Sequence, residues 1–281
     1  MASWLQHPPD LTDRDLAVIV RLVYERSGIA LHAGKRALVM ARLQKRLKQG
    51  GFETFKAYVE HLKSDRTGDE IVAMLDAIAT NHTSFFREPQ HFGFLADTVL
   101  PELGKRRGRL PIHGWSAACS TGEEPYTIAI TALQELGDEA GWRVRLLASD
   151  LSTKALTRAA AGVYKADRLA ELPRHLVLKY FQKQPAADTG MLQIVEPVRR
   201  IVEFRRLNLI QLPPPGQPFD FIFCRNAMIY FDRDAQQRVI RALEARLAPG
   251  GYLFTSHSES LNNLRHGLTW IAPSIYRRGP R

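Results

Sequence analysis

Apolar residues recur at helical spacing over the first 80 residues, and no alternating strand pattern interrupts them. In the stretch LTDRDLAVIVRLVYERSG, Thr12 is suited to cap the start of a helix and Gly28 to end it. The stretches TFKAYVEHLKS and GDEIVAMLDAIAT each carry an apolar stripe on one helical face. The pattern therefore predicts an all-helical unit over residues 1–80.

After residue 108 the pattern changes to short apolar runs that alternate with longer amphipathic stretches. The short runs predict the strands Leu110–Ala117, Val144–Ser149, Val202–Arg206, Phe219–Cys224 and Tyr252–Ser256. The stretches between them predict helices, among them Pro125–Leu136, Thr153–Ala161 and Arg233–Leu247. Such alternation is typical of an α/β fold with a doubly wound, mostly parallel sheet that has helices on both faces.

The composition is that of a globular protein and gives no sign of a membrane-spanning class. The chain has 281 residues, of which 45% are hydrophobic and 24% charged. No apolar run reaches the roughly 18 residues of a membrane span, and the N-terminal residues lack a secretory signal pattern. Cys119 and Cys224 lie in apolar runs, as expected for buried thiols in a reducing compartment. We therefore expect a cytoplasmic protein without membrane insertion.

The net charge of +10 favours an acidic partner, which could be a nucleic acid, a membrane surface or a protein. The stretch GKRALVMARLQKRLKQGG contains six cations and no acid. Arg42, Lys45 and Arg46 follow helical spacing on a face apart from the leucines, so the stretch predicts an amphipathic helix that ends at Gly50 and Gly51. Its basic face is either solvated or a docking surface.

The stretch IHGWSAACSTGEEPYTIAI, residues 112–130, has the layout of a nucleotide-binding turn with a single turn glycine, Gly122. Its two carboxylates, Glu123 and Glu124, disfavour a phosphate-rich ligand because like charges repel in a partly desolvated pocket. S-adenosylmethionine suits the turn better, since it carries an ammonium, a sulfonium and a ribose but no phosphate. Alternatively, both acids only stabilise the positive N-terminus of the following helix.

Polar residues follow the ends of two further strands, where open parallel sheets bind ligands. Asp150 ends the second strand and could accept hydrogen bonds from both ribose hydroxyls, or it could cap the next helix. Arg225, Asn226 and Tyr230 follow the strand FDFIFC. A turn asparagine and a packed tyrosine would suit two of these positions equally well.

Several long motifs closely resemble those of the chemotaxis receptor methyltransferases of the CheR type. They are NHTSFFREPQHF, WSAACSTGEEPYTIAI, LLASDLS, and FDFIFCRNAMIYFD followed by HSESL. The resemblance covers nearly the whole chain and implies an all-helical N-terminal domain over residues 1–80 and a linker that closes over the cofactor at 81–108. It further implies a class I S-adenosylmethionine-dependent methyltransferase domain over 109–281, with a small antiparallel β insertion at about 172–206.

The activity implied by the resemblance is methyl transfer from S-adenosylmethionine to glutamate side chains on the cytoplasmic helices of methyl-accepting chemoreceptors. The products are glutamyl methyl esters and S-adenosylhomocysteine. A carboxylate is already an anionic nucleophile, so no general base is needed and catalysis should come from alignment and exclusion of water. We expect neither a metal site nor a nucleic-acid partner.

Residues that match the family motifs take the roles that the resemblance implies. The expected cofactor-binding residues are Asn81, Thr83, Arg87, Glu124 or its neighbour Glu123, Asp150, Asn208, Leu209, Arg225 and Asn226. Arg87 and Tyr230 are expected to orient the substrate carboxylate as catalytic residues, although Arg87 could instead pair with the carboxylate of the cofactor.

Two partner contacts follow from the same resemblance. Chemoreceptor methylation helices are rich in glutamate, so Arg42, Lys45 and Arg46 become a candidate docking surface for them. In some family members the β insertion binds a receptor C-terminal peptide by sheet-edge pairing. Those members tend to have a glycine-rich turn, whereas QKQPAADTG contains only Gly190, and this contact stays open.

Two other functions are compatible with the same fold. A nucleic-acid methyltransferase would explain the basic charge but should carry an N/D-P-P-Y-like motif for a flipped base. The stretch RNAMIYFD offers one tyrosine and no Pro-Pro pair. A non-catalytic adaptor of a signalling array would keep the fold without turnover, although the intact Asp150, Glu124 and Arg87 argue against it.

Overall fold

The N-terminal part of the chain forms a helical unit with its own apolar core. The computed structural model describes residues 10–31, 33–79, 81–108, 110–137, 143–184 and 190–280. The helices of this unit are α1 Asp13–Ser27, α2 Arg36–Gly50, α3 Phe55–Ser64 and α4 Asp69–Ile78. Their core includes Ile19, Leu43, Tyr58 and Met74, all fully buried. A boundary between two domains at residue 80 stays a prediction.

The predicted ends of α1 and α2 are confirmed. The Thr12 side chain accepts a hydrogen bond from the Asp15 amide at the start of α1, and Gly28 ends the helix in the left-handed conformation. Gly51 ends α2 in the same way. Local capping chemistry therefore sets these boundaries.

The remainder of the chain alternates helices with strands. Its helices are α5 Pro89–Phe94, α6 Leu100–Arg107, α7 Glu123–Leu136, α8 Thr153–Ala161, α9 Arg174–Tyr180, α10 Glu196–Arg199 and α11 Arg233–Arg246. A π-helical turn, Leu95–Val99, connects α5 to α6. The strands are β1 Ile112–Ala117, β2 Val144–Asp150, β3 Val163–Lys165, β4 Phe181–Lys183, β5 Met191–Ile194, β6 Val202–Arg206, β7 Phe219–Phe223, β8 Leu247–Phe254, β9 Leu268–Ala272 and β10 Ile275–Arg278.

Seven strands form one mostly parallel sheet in the order β6-β2-β1-β7-β8-β10-β9. The first five run parallel, whereas β10 pairs antiparallel with both β8 and β9. The predicted doubly wound, mostly parallel sheet is thus confirmed. The sequence pattern missed β9 and β10 and placed the start of β8 at Tyr252 instead of Leu247. These strands depend on pairing between distant residues, and β9 is an edge strand whose Thr269, Trp270 and Ile271 are exposed.

Helices cover both faces of the sheet, as predicted. On one face, Tyr126 and Ile128 of α7 pack with Phe92 of α5 against the strands. On the other face, Val239 and Leu243 of α11 pack on the opposite side of the same strands. Burial on both faces explains why the parallel strands read as continuous apolar runs in the sequence.

A small antiparallel sheet in the order β3-β5-β4 lies outside the main sheet. The predicted β insertion is confirmed, but its bounds of about 172–206 need correction. The small sheet begins at Val163, and Val202–Arg206 belongs to the main sheet as β6. The misplacement arose because β3 is a three-residue strand defined only by its pairing with β5. Residues 185–189 of the turn QKQPAADTG lie outside the described residues.

Two further expectations concern the membrane and the thiols. None of the helices in the described ranges is long and apolar enough to cross a membrane.

Cys119 and Cys224 are free and buried, as expected. Burial raises the pKa of both thiols well above the ordinary value, so both remain protonated at neutral pH.

Candidate functional site

A cavity lies beyond the carboxyl ends of the central strands. These ends lie side by side, because Ala117 pairs with Ser149 and Asp150 pairs with Arg206 in parallel register. The predicted site residues that line the cavity are Asn81, Thr83, Arg87, Glu124, Asp150, Asn208, Leu209, Arg225, Asn226 and Tyr230. Open parallel sheets bind ligands at this edge.

The helical unit contributes a wall of the cavity that the sequence did not predict. Its contributing residues include Ser27, Ile29, Leu31, Lys35 and Leu38. Nothing in their local pattern distinguishes them from ordinary helix-end residues. Their role follows from how the helical unit packs on the sheet.

The turn after β1 brings its backbone close to the cavity. Ala118 and Ser120 line the cavity and both adopt positive φ angles, 77° and 49°. Gly122 has a φ of 98°, and a Cβ there would lie 2.9 Å from the Ala159 Cβ. Glycine is therefore required at Gly122 by its conformation and by its contact with α8, while small residues suffice elsewhere in the turn.

Asp150 faces the cavity with both carboxylate oxygens anchored. One oxygen accepts the Ser120 amide at 2.8 Å, and the other accepts the Ser152 amide at 2.9 Å. Burial raises the pKa of Asp150, opposed by these hydrogen bonds. The N-cap of α8 is Ser152, whose side chain accepts the Ala155 amide. Capping of α8 therefore does not explain Asp150.

The two acids after Gly122 have different surroundings. Glu124 lines the cavity, accepts a hydrogen bond from Ser116 Oγ at 2.8 Å and pairs with Arg225 at 3.1 Å. Burial raises the pKa of Glu124, and Arg225 and Ser116 oppose this effect.

Glu123, the alternative cofactor contact, is not among the residues that line the cavity. Its carboxylate is buried, pairs with Arg168 at 2.7 Å and accepts a hydrogen bond from Thr121 at 2.6 Å. Consecutive residues of a helix face directions about 100° apart, so the two carboxylates start from different sides of the turn.

Arg225 connects the cavity to the segment before α5. Its side chain is 2% exposed and pairs with Glu88 and Glu124, each at 3.1 Å. The guanidinium also donates to the Arg87 carbonyl and lies over the Phe92 ring. Arg225 thus lines the cavity, while these partners occupy both terminal nitrogens of its guanidinium.

The turn after β7 depends on a residue to which the sequence assigned no role, Glu259. One oxygen of its carboxylate accepts the Met228 amide at 2.7 Å, and the other accepts the amides of Asn226 at 2.8 Å and Ser256 at 3.0 Å. Asn226 has a φ of 56°, and Tyr230 ends the same turn. The motif HSESL contains Glu259 just beyond the end of β8. The position of an acid shortly after a strand could have marked it in the sequence.

The segment before α5 and the loop after β6 complete the cavity. Thr83 is buried, and its carbonyl accepts a hydrogen bond from Arg168 at 2.6 Å. Arg87 donates to the His82 carbonyl at 3.1 Å. On the other side, the Asn208 amide group donates to the Arg26 carbonyl of α1 at 2.7 Å.

The basic face of α2 is partly used within the helical unit. Arg46 forms a two-pronged ion pair with Glu70 of α4, with the Nε–Oε1 distance 2.7 Å, and Tyr58 donates to the same carboxylate. Arg42 donates to the Ala79 carbonyl at 2.8 Å. Lys45 is exposed. Two of the three predicted docking cations thus have partners within the helical unit, and the role of this face as a docking surface stays a prediction.

The cavity fits S-adenosylmethionine by the chemistry of its lining. Each oxygen of Asp150 retains a lone pair after its backbone hydrogen bond, and the buried Ser120 Oγ has no partner among the described residues. Glu124 supplies a negative charge for an ammonium. A doubly wound sheet with this site defines the class of S-adenosylmethionine-dependent methyltransferases.

Comparison with known families places the chain more narrowly. The family described as "CheR methyltransferase, SAM binding domain" matches residues 81–275, and "CheR methyltransferase, all-alpha domain" matches residues 14–79. The chain belongs to the CheR methyltransferase family. Methyl transfer with S-adenosylmethionine as its cofactor is accordingly its activity.

Curated relatives are similar over nearly their whole length. A chemotaxis protein methyltransferase of Escherichia coli is 38% identical over 95% of this chain and 91% of its own. One of Borreliella burgdorferi is 35% identical over 96% of this chain and 95% of its own. Chemotaxis protein methyltransferase 2 of Pseudomonas aeruginosa is 38% identical over 94% and 93%.

Replacing Glu259 should disturb the turn that carries Asn226 and Tyr230. Glu259→Gln turns one acceptor oxygen into a donor that faces backbone N–H groups, and we expect a loss of about 1–3 kcal/mol in unfolding free energy. Methyl transfer should fall more than cofactor affinity does. Denaturant unfolding and initial rates measure both. Glu244→Gln is the control, because Glu244 accepts one exposed backbone amide, that of Gly267. Equal effects of both variants would contradict a special role for Glu259.

Proposed function

We propose that the chain methylates glutamate side-chain carboxylates of chemoreceptor proteins and so forms glutamyl methyl esters in sensory adaptation. The observation that carries the proposal is that Arg87 and Tyr230 line the same cavity as Asp150 and Glu124. Groups suited to orient a carboxylate thus lie beside groups suited to hold the cofactor. The relatives named above are chemotaxis protein methyltransferases, which supports a receptor substrate.

The cofactor-binding roles divide along the cavity. Asp150 would accept hydrogen bonds from the ribose hydroxyls, and Glu124 would pair with the ammonium. Asn208 and Leu209 would contact the adenine, and Asn81 and Thr83 would cover the cofactor from the linker. Arg225 holds Glu124 in place and Asn226 completes the edge next to it. All of them line the cavity, which supports one shared ligand.

The substrate carboxylate requires alignment and no deprotonation. The bound cofactor supplies an electrophilic methyl group. Arg87 uses one donor for the His82 carbonyl, and a guanidinium has further N–H donors for a carboxylate. Tyr230 donates a hydrogen bond to the same carboxylate. Ile29, Leu31 and Phe231 supply apolar surface that excludes water from the reacting groups.

Labelled methyl transfer to chemoreceptors tests the proposal directly. The expected product is a base-labile label on glutamate. Tyr230→Phe and Arg87→Ala should each lower turnover by about tenfold to a hundredfold, because misalignment of reacting atoms carries costs of this size. Tyr230→Phe should leave cofactor affinity unchanged.

Other outcomes separate the alternatives. Label on nucleic acid would identify a nucleic-acid methyltransferase, and cofactor binding without any transfer would identify an adaptor. A base-stable product on protein would also contradict ester formation. Unchanged turnover in both variants would remove Arg87 and Tyr230 from the catalytic site.

Cofactor affinity should depend on pH through Glu124. Burial raises the pKa of this carboxyl, so it gains a proton at a higher pH than an ordinary glutamate does. Protonation removes the charge that attracts the ammonium, and the dissociation constant should rise as the pH falls through the raised pKa. Calorimetry over a pH series measures this. Glu124→Gln should bind weakly and lose most of the pH dependence, and an unchanged profile would contradict the role of Glu124.

The basic surface of α2 is proposed to dock the acidic receptor helices, with Arg42, Lys45 and Arg46 as its predicted residues. Lys45 is its most direct probe, because reversal of Arg46 would leave the buried Glu70 without its ion pair. A receptor C-terminal peptide could also pair with an edge of the small sheet, where β3 and β4 flank β5. A cytoplasmic location stays part of this proposal.

Lys45→Glu should raise the apparent KM for the receptor more at low salt than at high salt, because salt screens attraction between exposed charges. Lys105→Glu is the matched control, since Lys105 is exposed on α6, whose neighbouring Arg106 and Arg107 bind Asp220 near the start of β7. Receptor titrations at two ionic strengths measure the effect. A salt-independent change, or the same change in both variants, would mean that the α2 surface is only solvated.

A further inference from the structure

The segment of residues 27–31 starts at the last residue of α1 and lies against the two loops that bear predicted site residues. Ile29 forms an antiparallel bridge with Phe231, and the Ala30 amide donates to the Tyr230 carbonyl at 2.8 Å. Backbone pairing therefore connects the helical unit to the turn that carries Tyr230.

Contacts from the end of α1 add to this pairing on both sides. Tyr24 Oη donates to the Asp232 carboxylate at 2.6 Å, two residues after Tyr230. The Arg26 carbonyl accepts a hydrogen bond from Asn208 at 2.7 Å, in the loop after β6. One short stretch of the helical unit thus contacts both the turn after β7 and the loop after β6.

Gly28 makes this approach possible. Its φ of 73° is left-handed, and a Cβ at this position would lie 2.6 Å from Ile210 Cγ2 and 3.6 Å from the Phe231 ring. Real Cβ atoms essentially never show the first distance, so the Ile210 side chain or the loop that carries it would have to move. Gly28 therefore combines two constraints, a helix end and a close contact with the loop after β6.

We propose that Gly28 is a positioning residue for methyl transfer. Its bare backbone lets residues 27–31 hold the loop that carries Asn208 and Leu209 and the turn that carries Tyr230 in one arrangement. The helical unit then shapes the active site in addition to any receptor docking. The expected effect of Gly28 on cofactor affinity needs only S-adenosylmethionine as the cofactor. Its expected effect on turnover rests on the proposed function.

Gly51 provides a matched control. It ends α2 with a φ of 71°, nearly that of Gly28, but in the described part of the chain no atom beyond its chain neighbours lies within 4 Å of a Cβ built there. Gly28→Ala and Gly51→Ala therefore introduce similar backbone strain, but only the methyl group added at Gly28 contacts another loop, through Ile210. Differences between the two variants report the contact with Ile210.

Calorimetry of the full chain with S-adenosylhomocysteine tests the positioning role without any acceptor. We expect Gly28→Ala to raise the dissociation constant at least about tenfold, because small displacements of binding groups have effects of this size. Gly51→Ala should change it less than about twofold, although both variants lower the thermal midpoint. Adding Ile210→Ala to Gly28→Ala should restore most of the affinity relative to Ile210→Ala alone. Equal effects at both glycines, or no restoration, would overturn the proposal.

Turnover gives a second readout and covers the case in which Gly28→Ala does not fold. Tyr24→Phe removes the hydrogen bond to Asp232 with no added volume, and it should lower kcat several-fold with only a small fall in the thermal midpoint. An unchanged kcat would overturn the link to Tyr230. If the wild-type chain methylates no chemoreceptor, the proposed function fails, while the comparison of the two glycines with S-adenosylhomocysteine still decides the role of Gly28.

Discussion

The buried guanidinium of Arg225 is the interaction on which the site depends most. It holds Glu88 from the linker and Glu124 from the turn after β1, and it comes from the end of β7. Removing one partner of such a group leaves a charge without compensation in a poorly solvated place, at a cost of about 3–5 kcal/mol. The segment before α5, the turn after β1 and the end of β7 are therefore coupled through one side chain.

The helical unit is part of the cavity and not a separate module attached to it. Ser27, Ile29 and Leu31 line the cavity, and the backbone of Ala30 pairs with that of Tyr230. The unit also uses Arg42 and Arg46 to hold its own helices together. A receptor that docks on α2 would thus contact the same unit whose residues line the cavity and whose backbone pairs with Tyr230.

Strand-end reasoning predicted much of the site, since Asp150 and the Arg225–Tyr230 stretch follow parallel strands whose ends must meet at one edge. The resemblance to CheR enzymes added Asn81, Thr83 and Asn208, which no local pattern marks. Glu123 could not be excluded from sequence, because the choice between two adjacent acids depends on where Arg168 lies. Glu259 was quoted within a motif without a role, since the turn that it holds through the amides of Asn226 and Met228 lies some 30 residues away.

By itself, the sequence determined the alternation of strands and helices, the capped ends of α1 and α2, and the acids that end up near the sheet edge. These features depend on interactions within a few residues, or on the spacing of apolar residues that distinguishes a helix from a strand. Only the tertiary structure decided which cations are free to meet a partner, which of two acids enters the cavity, where the small sheet begins, and why Gly28 has no side chain. Each of these depends on a contact between segments far apart in the chain, and a local pattern carries no information about such distances.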